Sequence, residues 1–176
     1  ANLFAKAYAT GEGGKLEDIS VDFTRDYLES KGVELILIKE PYKITNAVIV
    51  SGEIPRRWGP SHTGAVTDEV PDDMALYIRH PNGLVAITGC GHSGVENIVE
   101  YGFQLTGLDR LYAIIGGLHF MGLSEDRIRQ VTNYLVTKSP SVVVGTHCTG
   151  ILGIATLYNA MPKAFRLGGV GSVIEL

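Results

Sequence analysis

Histidines and cysteines in glycine-rich turns are the residues of this 176-residue chain best suited to chemistry. Three such turns follow short apolar runs: TGCGHSG at residues 88–94, GGLH at residues 116–119 and GTHCTG at residues 145–150. Neutral imidazole and thiolate are the usual ligands of zinc. Flanking glycines let the backbone turn tightly and leave room for a ligand or substrate. The three turns therefore predict a site that holds zinc or another divalent metal.

Spacing within the turns indicates which side chains could share a metal. Cys90 and His92 are two residues apart, and alternate side chains of an extended segment point to the same face. His147 and Cys148 are adjacent and would point apart, so only His147 is predicted to be a ligand. Structural roles are the alternative, because a single histidine after a strand is more often a hydrogen-bonded structural residue and Cys148 can serve as a small buried hydrophobic residue. A disulfide between the two cysteines also competes, although an intracellular chain disfavours it.

Weaker signals lie earlier in the chain. Glu53 and Arg56 follow an apolar run and form either a site pair or a solvated ion pair. Asp72 and Asp73 precede another run and either hold a metal or substrate or cap a turn. The two remaining histidines are expected at the surface: His62 and His80.

The elements that must position these residues follow from the hydrophobic pattern. Short runs rich in β-branched residues, bounded by glycine, proline or aspartate, predict strands. They cover residues 33–38, 46–51, 74–78, 84–88, 111–115, 141–145 and 172–176. The segment 55–73, which has three prolines, predicts a long loop.

Helix signals separate the later strands. Ser93 with Glu96 forms a capping-box pattern ahead of a helix at 93–106, Ser124 precedes one at 124–137, and Thr149 precedes one at 151–161. A shorter helix is predicted at 22–31. This alternation predicts an α/β fold with helices packed on a sheet. The three histidine-bearing turns then lie at the carboxyl ends of successive strands and should converge on one rim, where the first turn also offers a helix N-terminus to an anion.

Composition excludes several classes of protein. Forty-five per cent of the residues are hydrophobic, 22 are glycine, and the net charge is −4 with 15 basic against 19 acidic residues. A core is expected, whereas a nucleic-acid partner is not, because no basic stripe is present to neutralise phosphates. No apolar stretch approaches the roughly 20 residues that span a bilayer. We therefore expect a cytoplasmic protein with no membrane partner.

Taken together, these motifs resemble the metallo-β-lactamase superfamily. The resemblance rests on GEIPR at residues 52–56, the aspartate pair at 72–73, TGCGHSG at 88–94, IGGLH at 115–119 and HCTG at 147–150. Their order and spacing match over essentially the whole chain. Within the superfamily, they are most similar to the group that contains 7,8-dihydropterin-6-methyl-4-(β-D-ribofuranosyl)aminobenzene-5'-phosphate synthase.

The resemblance implies an αββα sandwich with a dinuclear metal site, usually zinc, at one edge of two packed sheets. Members carry a His-x-His-x-Asp-His motif in their first half, and that motif is absent from these 176 residues. Residues 1–176 are therefore interpreted as a single domain, the C-terminal portion of such a fold, with a mixed sheet and helices packed on it.

Residue by residue, the resemblance implies site roles without identifying a catalytic residue. His147 matches the last metal ligand, and the turn of Cys90 and His92 supplies another. His119 matches a histidine on the substrate side, where Glu53, Arg56 and Ser93 are further substrate-binding candidates.

Three functions remain open, as does whether this chain alone is an enzyme. The first is a metal-dependent hydrolase-like protein that acts on a small phosphate-bearing substrate and is incomplete without its other half. The second is a transferase of the dihydropterin and ribofuranosylaminobenzene phosphate type. The third is an inactive binding or assembly module, which predicts an exposed apolar face and self-association.

Overall fold

A computed structural model describes residues 7–10, 15–18, 22–61 and 70–176. Within these ranges, nine strands form two sheets. Two of them, β1 (Ala7–Thr10) and β2 (Lys15–Asp18), pair antiparallel as a separate ribbon. The other seven form one sheet whose spatial order follows the chain. They are β3 (Tyr42–Lys43), β4 (Val48–Val50), β5 (Ala75–His80), β6 (Gly83–Thr88), β7 (Leu111–Gly117), β8 (Val142–Thr146) and β9 (Phe165–Leu167).

The seven-stranded sheet is mixed. Strands β3 to β6 pair antiparallel, whereas β6 to β9 pair parallel. Each parallel connection contains a helix: α2 (Val95–Thr106), α3 (Glu125–Lys138) and α4 (Gly150–Ala160). A short helix, α1 (Arg25–Ser30), precedes the sheet. The predicted α/β fold with a mixed sheet and packed helices is confirmed.

The main core lies between the sheet and helices α2 to α4. Leu84 of β6 and Leu111 of β7 are fully buried in it with Ile98 of α2, Leu135 of α3 and Leu157 of α4. A smaller apolar cluster covers the opposite face of the same strands. Its buried members are Val85, Ala113, Val142 and Val144. The central strands are thus buried on both faces, as is usual for parallel sheets.

Helix positions agree with the sequence, but two of the three predicted caps are wrong. Ser124 caps α3 as predicted, because its Oγ accepts a hydrogen bond from the backbone N–H of Arg127 at 3.3 Å. Helix α2 begins after Gly94 and has no side-chain cap. Thr149 has a helical backbone already, and its Oγ1 accepts from the backbone N–H of Leu118 at 3.1 Å instead of capping α4.

Two predicted strands are absent from the described residues. Residues 33–38 and 172–176 form no strand pairs, and Ile36 and Leu37 are 58% and 55% exposed. An apolar run needs a partner strand to become a strand, and neither run has one. The sheet ends instead in β3 and β9, which the sequence did not predict. Both have at most three residues, too few to show a pattern.

No helix among the described residues has the length and apolar character needed to cross a membrane.

Candidate functional site

The three cysteine- and histidine-bearing turns meet at one edge of the sheet. Thr88 at the end of β6 is in register with Gly116 of β7, and Gly117 of β7 is in register with Thr146 at the end of β8. The Thr88 hydroxyl donates a hydrogen bond of 2.7 Å to the carbonyl oxygen of Gly117. The predicted convergence of these turns is therefore confirmed. We call them the first, second and third site loops: residues 88–94, 116–121 and 145–150.

Glycine is required where the first and second site loops touch. Gly91 has a left-handed backbone (φ +81°), and a Cβ there would lie 2.7 Å from the carbonyl oxygen of Gly117. A Cβ on Gly117 would lie 2.9 Å from the Cα of Cys90 and 3.0 Å from the Sγ of Cys148. Real Cβ atoms do not approach this closely. Any side chain at these positions would push the loops apart.

The side chains that converge most closely are Cys90, His119 and Cys148, which we call the sulfur–imidazole cluster. The Sγ atoms of the two cysteines are 2.9 Å apart, and the Nδ1 atom of His119 is 3.3 Å from the Sγ of Cys90. One ligand atom from each residue lies within 4.8 Å of the others. Cys148 is buried, while Cys90 and His119 are half-buried and accessible to a ligand.

Backbone strain accompanies the cluster. His119 and His147 have left-handed backbones, with φ of 48° and 47°. This conformation is uncommon for residues other than glycine, and such strain persists only where the surrounding structure enforces it. Strained residues of this kind concentrate at active sites and ligand sites. Both residues therefore make the second and third site loops candidate functional positions.

Hydrogen bonding divides the two thiols into an acidic and a weakly acidic partner. The Cys90 thiol donates to the Sγ of Cys148, and this bond lowers the pKa of Cys148 against the opposing effect of burial. Hydrogen bonding to His119 lowers it further. The same bond to Cys148, followed by burial, raises the pKa of Cys90. The hydrogen bond between the two side chains therefore makes Cys148 the more acidic thiol of the pair.

The other two candidate histidines lie differently. The His92 ring packs against the His119 ring, with centroids 4.1 Å apart and planes tilted by 42°. His147 is exposed and opens a single 3₁₀ turn, His147–Thr149. That turn carries the next residue, Cys148, inward. The structure thus brings Cys90, His92 and His119 together, adds Cys148, and leaves His147 at the surface.

The sequence predicted no ligand role for Cys148, because the prediction assumed an extended backbone. In an extended backbone, the adjacent side chains of His147 and Cys148 point apart. The left-handed backbone of His147 and the following turn break that assumption. No feature of the sequence GTHCTG distinguishes this geometry in advance.

A carboxylate of the chain itself occupies the turn before α2. The two carboxylate oxygens of Asp73 accept hydrogen bonds from the backbone N–H groups of Gly91 (3.2 Å) and Ser93 (2.7 Å). Asp73 therefore caps the turn before α2, which agrees with the turn-capping role considered for the aspartate pair. Ser93 is 1% exposed, and its hydroxyl has no hydrogen-bond partner among the described residues. Glu96, the other half of the expected capping box, pairs instead with Arg127 at 2.7 Å.

The earlier substrate-binding candidates contact residues outside the site loops. The carboxylate of Glu53 lies 3.5 Å from the ammonium of Lys39; the Lys39 side chain is largely exposed, and that of Glu53 is half-buried. Arg56 donates a hydrogen bond of 2.9 Å to the carbonyl oxygen of Val70.

Of the two histidines expected at the surface, one can be placed. His80 is half-buried and stacks on Tyr112, with centroids 4.6 Å apart. His62 lies outside the described residues.

The donor atoms of the site fit a metal such as zinc. Two sulfurs and one imidazole nitrogen make a soft donor set, which suits zinc and other thiophilic metals better than magnesium or calcium. Catalytic zinc sites use three protein ligands and leave a fourth position for water or substrate. The sulfur–imidazole cluster has that number of donors.

Comparison with known proteins gives two relatives from Methanocaldococcus jannaschii. The chain is 34% identical over 160 residues to the uncharacterized protein MJ0448, covering 86% of this chain and 58% of that one. It is 24% identical over 187 residues to 7,8-dihydropterin-6-methyl-4-(β-D-ribofuranosyl)-aminobenzene-5'-phosphate synthase, covering 99% and 64%. The chain thus spans less than two thirds of either relative. No model of a protein family matches it.

A solved structure gives the fold. The crystal structure of Tm1679, a metal-dependent hydrolase of the β-lactamase superfamily, superposes with a TM-score of 0.80 at 23% identity. The match covers 98% of this chain and 67% of that one. The resemblance seen in the sequence motifs is thereby confirmed, and the chain has a metallo-β-lactamase-like α/β fold.

Proposed function

We propose that this chain forms part of a metal-dependent hydrolase that acts on a small phosphate-bearing substrate. The observation that carries the proposal is the convergence of three site loops, with their cysteines and histidines, at the carboxyl ends of parallel strands β6, β7 and β8. That edge is where α/β proteins build ligand sites. The likeness in fold to a metal-dependent hydrolase supports the same function.

In this proposal, the metal ligands come partly from this chain and partly from another segment or a second copy of the chain. A bound divalent metal would supply a water of lowered pKa and polarise a phosphoryl oxygen. Cys90 or His92, together with His147, would ligate it as the sequence resemblance implies. We propose that a segment bearing His-x-His-x-Asp-His, or a second copy of the chain, completes the site.

The chain's own residues prepare the site for a substrate. His92 packed on His119 restricts the orientation of both rings. The N–H groups of Gly91 and Ser93 are already used by Asp73, so a substrate phosphate needs another partner. Arg56, with its guanidinium beside the segment that leads to Asp73, is the residue we propose for that contact, with Glu53 nearby in sequence.

Metal-dependent turnover tests the hydrolase proposal. The full chain, alone and mixed with a separately expressed segment that carries His-x-His-x-Asp-His, would be loaded with Zn²⁺ or Mn²⁺ and assayed on phosphomonoesters and phosphodiesters. We expect hydrolysis that chelation abolishes and that His92→Ala reduces at least about tenfold. Arg129→Ala, at an exposed position on α3, serves as the matched control. Metal-loaded mixtures that hydrolyse none of these esters would contradict the proposal.

A second candidate function is a transferase. It is favoured by the 24% identity over 187 residues to the dihydropterin-linked synthase. The test incubates the chain, with and without the additional segment, with a 7,8-dihydropterin and an aminobenzene ribofuranosyl phosphate. Formation of the joined product would support the transferase. Consumption of neither substrate would eliminate it.

A third candidate is a binding or assembly module. Its support is the exposed apolar surface of residues 33–44, where Ile36, Leu37 and Ile44 are 58%, 55% and 56% exposed. Apolar patches of this kind mark interaction sites. Sedimentation velocity over a range of concentrations tests it. Self-association that Leu37→Asp abolishes would support it, and a monomer at all concentrations would count against it.

A further inference from the structure

We propose that Cys90, His119 and Cys148 form a thiolate-rich metal site that is complete within this chain. This site differs from the one implied by the sequence resemblance, since it uses Cys148 and His119 and does not use His147. It needs neither a His-x-His-x-Asp-His segment nor hydrolase activity. Its ligand would be one thiophilic divalent ion, with zinc as the natural candidate.

The three donors come from three separate loops and still converge. Cys90 follows β6, His119 follows β7 and Cys148 follows β8. Their sulfur and nitrogen atoms lie within 4.8 Å of one another, although Cys90 is 29 residues from His119 and 58 from Cys148. A metal ion would therefore join three adjacent crossovers of the sheet.

Backbone hydrogen bonds fix the loops relative to one another. The N–H of Gly117 donates to the carbonyl of Gly89 at 3.1 Å, which joins the first loop to the second. The N–H of Met121 donates to the carbonyl of Cys148 at 3.0 Å, which joins the second loop to the third. The bond from Leu118 to the Thr149 hydroxyl adds a second link there. Metal sites depend on such supporting contacts to hold their ligands in place.

The left-handed backbone of His119 has a function in this arrangement. A φ of 48° is an energetically unfavourable conformation for histidine, and it persists only because the surrounding structure holds it. In that conformation its Nδ1 atom lies against the Sγ of Cys90. In this conformation the ring is directed toward the two sulfurs, where a metal shared with Cys90 could bind.

The donor set predicts which ions bind. Soft thiolates favour zinc and cobalt, while calcium and magnesium prefer oxygen ligands. No carboxylate belongs to the cluster among the described residues. Tetrahedral ligation, with metal–sulfur distances of about 2.3 Å, separates the two sulfurs by more than the 2.9 Å seen here. A modest opening of the sulfur pair must therefore accompany binding.

Cobalt binding provides the test, because a cobalt–thiolate bond gives an intense near-ultraviolet charge-transfer absorption that imidazole and carboxylate ligands do not. The reduced full chain would be titrated with Co²⁺ under anaerobic conditions. We expect one cobalt per chain, the charge-transfer band, and displacement by Zn²⁺. Cys90→Ser and Cys148→Ser should each remove at least about half of the band, and His119→Ala should weaken binding at least about tenfold.

His80→Ala is the matched control, because it removes a histidine that stacks on Tyr112 outside the site loops and leaves all three proposed ligands in place. We expect its cobalt spectrum and affinity to equal those of the unmodified chain. A band lost in His80→Ala but retained in both serine variants would overturn the proposal. Cobalt bound without the charge-transfer band, or no cobalt bound, would overturn it as well.

A measurement on the unmodified chain guards against serine variants that fail to fold. Zinc X-ray absorption spectroscopy should show two sulfur scatterers at about 2.3 Å with nitrogen or oxygen completing the shell. A shell of nitrogen and oxygen alone would overturn the proposal. None of these readouts depends on turnover, so the site can be established or rejected whatever the outcome of the hydrolase assay.

Discussion

Two regions of the molecule use similar apolar sequences with opposite results. In the sheet–helix unit, residues 75–167, Leu84, Leu111 and Leu157 are fully buried. In the N-terminal segment, residues 22–47, Ile36, Leu37 and Ile44 are each more than half exposed. Hydrophobic residues in the first region have strands and helices to pack against. The comparison shows that pairing partners, and not the apolar run itself, decide burial.

The largest loss of stability should come from creating a cavity in the core of the sheet–helix unit. Leu84 has no exposed surface and lies in the main core. Leu84→Ala should lower the free energy of unfolding by about 3 to 5 kcal/mol. Leu37→Ala removes the same atoms from an exposed position, so its effect should stay within about 0.5 kcal/mol. Urea denaturation of both variants would measure the difference, and similar losses would refute the comparison.

The next largest effect concerns the ion pair that joins two helices of the unit. Arg127 of α3 pairs with Glu96 of α2 at 2.7 Å, with side chains 18% and 9% exposed. Arg127→Leu leaves the carboxylate buried without its partner and should cost about 2 to 4 kcal/mol. Adding Glu96→Leu should recover part of that loss, because the buried charge is then removed. A double variant less stable than the single one would show that the loss does not arise from an unpaired buried carboxylate.

A smaller effect on stability, but a large one on the site, is expected at Gly117. Gly117→Ala places a methyl group 3.0 Å from the Cys148 sulfur and should cost about 1 to 3 kcal/mol. Cobalt affinity should fall at least about tenfold. Gly89→Ala is the control, because a Cβ there meets nothing within 4 Å. Equal cobalt affinities in the two variants, measured by titration, would show that the close contact at Gly117 does not influence metal binding.

The smallest effect belongs to a solvated network on the same unit. Partial burial raises the pKa of Glu100, but hydrogen bonds from Lys138 and Tyr134 outweigh this and hold the pKa below its usual range. The carboxylate therefore stabilises the fold above its unfolded pKa of about 4.3, and this contribution disappears as the pH falls through the lower folded value.

Replacing this carboxylate tests the sign of that effect. Glu100→Gln should cost under about 1 kcal/mol at pH 7. The difference between variant and parent should shrink as the pH approaches 3. Unfolding curves at several pH values would measure it, and a difference that grows on acidification would contradict the assignment.

Much of the fold was predictable because local signals agreed with the tertiary structure. Strands β5 to β8 have apolar runs with clear boundaries, and helix α3 has a serine cap and an acidic first turn. Because strands alternate with helices in the second half of the chain, the sequence also predicted that the site loops meet at one edge of the sheet. The short edge strands β3 and β9 were not predictable, since two or three residues carry no periodic pattern.

The candidate site was predictable in position and only partly in composition. The sequence predicted roles for Cys90, His92 and His119, which lie together. It gave none to Cys148, whose inward direction depends on the left-handed backbone of His147. Asp73 reaches the first site loop across 18 and 20 residues. Such contacts depend on tertiary structure, and no local rule identifies them.

The Asp73 contact also has a consequence for competition between anions. A carboxylate held in place by its own chain acts at an effective concentration on the order of millimolar or higher. A free phosphate with the same affinity for the N–H groups of Gly91 and Ser93 would have to exceed that concentration to displace it. Below that concentration, we expect this turn to be insensitive to inorganic phosphate.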